Sequence, residues 1–210
     1  FHGKKRKILR KKLNGKWNFT EENEEGYQRF GDHFEVCNSV ATLYNKAFVL
    51  QHYAEQENYY CLNDMKIEKQ IVYPAISMKS FHKVKKDDNN RALIIFPYKV
   101  ENGKVEHFSK DEFESECPMA VSYLQSYADK LDKRKKDKGA LWFEYGRSQA
   151  IGRVFGKKLI LPMVVTNRVS VCMAEEDEIP YAGYFVKCAK NTTMTLERAK
   201  EILESKEFFE

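Results

Sequence analysis

The apolar residues of this chain come in short runs, and that grain limits the fold more than any other feature. Ala92-Leu-Ile-Ile-Phe-Pro97 is a brief β-branched run of buried-strand type. Ile71-Val-Tyr-Pro74 is apolar and ends on proline, which disfavours helix for the residue before it. Lys158-Leu-Ile-Leu-Pro-Met-Val-Val165, Val169-Ser-Val-Cys172 and Gly183-Tyr-Phe-Val-Lys-Cys188 read as further strands. So do residues 34–50, ending in Ala47-Phe-Val-Leu50, and residues 58–65. No window approaches the ~18 uncharged apolar residues of a transmembrane helix.

Helix signals are fewer. Glu101-Asn-Gly103 makes a hairpin-like turn. Ser109-Lys-Asp-Glu112 has capping-box spacing and starts a short helix. Pro118 fits the first turn of a second, along which Val121, Leu124, Ala128 and Leu131 recur at helical spacing. Its last turn is basic, with Lys130, Lys133 and Arg134, and Gly139 closes the segment. Thr195 can cap a final helix carrying Leu196, Ala199, Ile202 and Leu203 on one face. The expected fold class is α/β of the mixed α+β kind: a mixed or antiparallel β-sheet, or a partial barrel, with two to four helices.

At 210 residues the chain can build one sizeable core but not two large ones. Its 14 Phe, 12 Tyr and 2 Trp supply buriable surface, which argues against disorder. Lys plus Arg exceed Asp plus Glu by 36 to 31, a formal +5 that permits nucleic-acid binding without demanding it. Distribution says more. Eight basic residues and no acidic one lie between Phe1 and Lys16; a second basic run spans Lys130 to Lys138. Acidic runs span Glu21 to Glu25 and Glu175 to Glu178. Any one run alone is equally a solvated face. Cys37, Cys61, Cys117, Cys172 and Cys188 are odd in number, widely spaced and free of C-x-x-C, so reduced thiols are expected rather than a zinc site. With no secretory signal after the basic start, a soluble cytoplasmic protein is expected.

Self-contained chemistry is missing. There is no G-x-x-x-x-G-K-[ST], G-x-G-x-x-G, G-x-S-x-G or H-E-x-x-H. The five His, His33 and His107 included, stand at no metal-ligand spacing to one another or to Cys. No catalytic, cofactor-binding or metal-binding residue is expected. Several polar loops carry residue types that could meet DNA or equally form a solvated surface. Arginine bonds two guanine acceptors at once and glutamine can do the same for adenine. Tyr145-Gly-Arg147-Ser148-Gln149 places such groups in a loop, with Gly146 allowing close backbone approach. The alternative makes Trp142 and Tyr145 core and Arg147 a surface ion-pair partner. Arg134, Lys135, Lys136 and Lys138 could hold phosphates or merely complement a helix end. Lys79, Lys83, Lys85 and Lys86, in the polar loop 79–91, form a second candidate phosphate loop; Thr166, Asn167 and Arg168 form a third. The segment from Phe1 to Lys16 could be a DNA-tracking arm, or a docking helix with Ile8, Leu9 and Leu13 as its apolar stripe.

Six segments in order carry a resemblance: Phe34-Glu-Val with Ala41-Thr-Leu-Tyr-Asn-Lys-Ala-Phe48; Ile67-Glu-Lys with Tyr73-Pro-Ala75; Arg91-Ala-Leu-Ile-Ile-Phe-Pro-Tyr98; Cys117-Pro, Tyr123-Leu and Leu131-Asp-Lys-Arg134; Trp142-Phe-Glu-Tyr-Gly-Arg147; and Lys158-Leu-Ile-Leu-Pro162. Over about residues 31–190 the chain resembles the C-terminal specificity domain of DNA N6-adenine methyltransferases of the TaqI-like and Eco57I-like restriction–modification group. Ser39 departs from the Gly of that family's first turn. The family's methyl-transfer half carries an adenosylmethionine-binding Gly loop and an [N/D]-P-P-[Y/F] motif; Asn45 and Asn167 are not followed by Pro-Pro. The resemblance therefore implies a target recognition domain in 31–210, cut short at its C-terminus. Residues 1–30 would be a basic leader or a connection to a missing catalytic half that binds S-adenosylmethionine. Double-stranded DNA and that half are the implied partners. A protein-interaction module of mixed fold with no nucleic-acid role, and a small enzyme with an unrecognised site, are the competing readings.

Overall fold

The computed structural model describes residues 9–13, 16–20, 28–78, 92–101, 103–165 and 168–209. Leu9–Leu13 (β1) and Lys16–Thr20 (β2) pair antiparallel, Leu9 opposite Thr20. The stretch that suggested a docking helix is thus extended at Leu9 and Leu13. One turn of helix, Phe30–His33 (α1), leads into Phe34–Asn38 (β3). Another, Asn45–Phe48 (α2), precedes Val49–Leu50 (β4), so of the strand-like run expected over 34–50 only its two ends are strands.

Ala54–Glu55 (β5), Tyr59–Leu62 (β6) and Met65–Glu68 (β7) form an antiparallel meander. Val72–Ser77 (β8) and Leu93–Ile95 (β9) follow, then the hairpin Tyr98–Glu101 (β10) and Lys104–His107 (β11), with Gly103 at φ +74. Later in the chain come Lys158–Leu161 (β12), Cys172–Ala174 (β13), Ile179–Ala182 (β14) and Tyr184–Cys188 (β15).

Eight of these strands make two four-stranded sheets. One, ordered β13-β12-β15-β3, is antiparallel throughout. The other, β14-β8-β9-β4, is mixed, because β14 runs parallel to β8. The class is mixed α+β as expected, and among the described residues the sheets do not close into a barrel. Pro74 is tolerated inside β8 because β14 pairs only with Ala75 to Ser77, beyond it. Gly183, at φ +101, carries the chain from the mixed sheet to the antiparallel one. A Cβ there would stand 2.3 Å from the Leu161 carbonyl oxygen.

Helices cover the sheets. Lys110–Glu116 (α3) opens on the expected capping box: Glu112 N donates to Ser109 Oγ and Ser109 N to Glu112 Oε2. Pro118–Gln125 (α4) and Ala128–Asp132 (α5) replace the single helix read across Val121 to Leu131. The break is local: Ser126 turns its N–H and Oγ onto the Tyr123 carbonyl. From β7, Glu68 receives the Met119 and Ala120 N–H groups and caps α4. Leu196–Glu204 (α6), capped by Thr195, buries Leu196, Ala199 and Leu203 against Phe34, Leu159 and Val186 on one face of the antiparallel sheet. The other face packs Cys37, Ile160 and Phe185 on Ile76 and Met78. A larger core joins the mixed sheet to α3, α4 and α5 around Phe48, Phe96, Phe113 and Tyr145.

The described cysteines are free thiols, as expected. Among the described residues no helix is long and apolar enough to cross a membrane, and no cluster of three or more His, Cys, Asp or Glu could hold a metal ion.

Candidate nucleic-acid interface

Arg134 leaves α5 and turns inward. Its Nε donates to the Leu131 carbonyl at 3.0 Å, Nη1 to Thr42 O at 2.6 Å, and Nη2 to Trp142 O and Glu144 O at 2.9 and 3.1 Å. The guanidinium lies 5.4 Å from the centre of the Phe48 ring. It is 9% exposed, and burial lowers its pKa from the usual arginine value. Loops far apart in sequence therefore hang on one side chain. Placed so, Arg134 is a structural tie: every guanidinium nitrogen donates to a carbonyl of the fold, and the group is buried rather than presented to a phosphate.

Tyr145 is corrected the same way. It is buried; its N–H donates to Tyr98 Oη and its hydroxyl to the Ile95 carbonyl. Its ring meets Phe48, Phe96 and Tyr98 edge-on. Burial raises the phenol pKa well above its ordinary value. This is the core role left open for it by the sequence, and it anchors the loop that follows.

That loop is exposed and fixed. Gly146 N donates to Thr42 O, and Arg147 N to Ala41 O. Asp137 N donates to Gly146 O in return. The Asp137 carboxylate then takes the Ser148 N–H at 3.0 Å, Arg147 Nη1 at 2.8 Å and the Ser148 hydroxyl at 3.2 Å. The Ser148 amide, with Arg147 beside it, holds the Asp137 carboxyl below the usual carboxylate range. Ser148, Gln149, Lys135 and Lys138 are exposed; Lys136 and Arg147 are half-buried. Six of the expected DNA-binding residues thus share two loops bolted together by Asp137. The ion-pair alternative for Arg147 is realised, although Asp137 is the sole acceptor its side chain meets among the described residues.

Beside this cluster opens a cleft of about 430 Å³, lined by Tyr98, His107, Phe108, Asp137, Glu144 and Ser148. His107 Nδ1 meets Glu144 Oε1, while Glu144 Oε2 accepts from Leu141 N. Both Glu144 oxygens are used in closing the loop, so the pair braces the cleft.

Arg168 is exposed, but no described contact joins it to the Arg147 loops. It precedes Val169 and Val171, which pack under α6. Lys79, Lys83, Lys85, Lys86, Thr166 and Asn167 lie outside the described residues. Sequence reasoning missed Asp137, whose partner lies ten residues on and is brought back only by the turn at Gly139. It also gave no role to Thr42 and Leu43, although they stand inside a segment that carries the resemblance.

No protein-family model matches the chain, and no curated protein matches it significantly.

Proposed function

We propose that this chain is the sequence-specific DNA-binding target recognition domain of a restriction–modification adenine methyltransferase. It would position duplex DNA for methyl transfer by a separate catalytic half. The methyl donor, S-adenosylmethionine, belongs to that half, and no residue of this chain is assigned to it. The observation that carries the reading is the convergence of Arg147, Ser148 and Gln149 with Lys135, Lys136 and Lys138 on two mutually locked loops. Base readers must be held still beside phosphate anchors to discriminate, and two locked loops carrying these side chains support that reading. The Asp137 contact occupies one Arg147 nitrogen and orients the fork rather than consuming it.

A second reading has its own observation. Val36, Met163 and Val164 are 58%, 70% and 75% exposed, which suits a protein-facing surface. A protein-interaction module with no nucleic-acid role would select no DNA. The two separate in a selection from randomised duplexes followed by a gel shift. The DNA-binding reading expects enrichment of one sequence, with Arg147→Ala losing about 1–3 kcal/mol of discrimination at one base pair. Binding of the selected site unchanged by Arg147→Ala overturns the role of Arg147, and no enrichment at all overturns the reading.

A further inference from the structure

Leu43 is out of place in two respects. It holds φ +58, a left-handed conformation that glycine and asparagine adopt far more readily than leucine. It is also a large apolar side chain left 44% exposed. Its neighbours over-determine its backbone. Thr42 O receives both Arg134 Nη1 and Gly146 N, the Thr42 hydroxyl donates to Asn45 Oδ1, and Tyr44 N donates back to Thr42 Oγ1. A strained residue kept in place by its surroundings points to use, because glycine would relieve the strain at no cost to those bonds. What leucine adds over glycine is an apolar side chain.

That side chain has a prepared seat. A Cβ on Gly146 would come within 2.5 Å of Leu43 Cδ1 and Cγ, so only glycine lets the two loops close with leucine between them. The residue after Gly146 is Arg147, with Ser148 next, both gripped by Asp137. Leu43 thus rests on Gly146, 44% exposed, beside the polar groups assigned to base edges. Proteins that bend or open a duplex insert apolar side chains, leucine among them, between base pairs.

We infer that Leu43 is a wedge that enters the base stack of the bound duplex, at the step adjoining the base pair met by Arg147. The inference rests on the DNA-binding reading above. It predicts that binding unstacks one step, and that the unstacking depends on Leu43 while phosphate contacts do not.

The test uses the full chain and a duplex enriched from a randomised library by that chain, with 2-aminopurine placed at successive positions. Wild type should raise the fluorescence at one step. Leu43→Gly, which suits the left-handed backbone, should lose that rise and keep the salt dependence of binding. Leu43→Met should retain the rise, and Gly146→Ala, which displaces Leu43 without altering it, should diminish it. A duplex that binds with no rise at any position, or a rise that survives in Leu43→Gly, removes the wedge and leaves the DNA-binding reading standing. Failure to enrich any duplex removes both.

Discussion

Arg134 and Arg147 close the same segment of chain and point to opposite fates. Arg134 donates through all three of its nitrogens to carbonyls inside the fold. Arg134→Lys keeps the charge and loses the fork, so stability should fall by about 2 kcal/mol in urea unfolding. A comparable demand falls on Lys158, fully buried, whose ammonium serves the carbonyls of Glu175, Glu176 and Glu178. Lys158→Met fits the apolar strand yet removes a donor from each carbonyl; Glu176 O keeps Gly156 N and Glu175 O keeps Glu178 N, so about 2 kcal/mol of stability should be lost by the same measurement. Neither role was legible from the residues themselves. Arg134 sits in a basic run that reads as a phosphate anchor, and what decides otherwise is Thr42, Trp142 and Glu144, brought to it by tertiary packing. Arg147 and Ser148 were legible as polar loop residues; Asp137, which aims them, was not.

At the scale of the element, local signals were readable and non-local ones were not. The Ser109 capping box could be read because all its parts lie within four residues. Ser109→Ala should cost about 1 kcal/mol of stability in thermal unfolding. Glu112 also accepts from Lys99 Nζ at 2.6 Å, and that bond, with the cap bonds to Ser109, pulls its pKa down to about 2 from an ordinary 4.5. The folded form therefore holds its proton less tightly than the unfolded chain. The stabilisation is complete above pH 4.5 and is lost as pH falls towards 2. An acid titration of stability should show Glu112→Gln losing less than wild type over that interval. The division of α4 from α5, by contrast, depends on how Ser126 turns back on Tyr123, and the α4 cap comes from Glu68, a strand residue distant in sequence. Helical spacing alone ran straight through that break.

At the scale of the whole molecule, the strand character of most apolar runs was readable, but their partners were not. The parallel β14–β8 pair joins segments a hundred residues apart, and Gly183 then hands the chain to the second sheet. The same folding back brings Ala41 and Thr42 to Gly146 and Arg147, whose loop Asp137 then joins to the lysines beside it in the chain. Lys135, Lys136 and Lys138 lie on the loop that Asp137 joins to Arg147 and are the proposed phosphate anchors. The most direct measurement is the salt dependence of duplex binding by wild type and by the variant with all three lysines changed to alanine. Each phosphate contact contributes about 0.9 to the slope of log K against log salt, so the triple variant should bind with a slope shallower by roughly 2.7. A wild-type affinity that does not respond to salt, or a slope unaltered in the triple variant, would contradict the account.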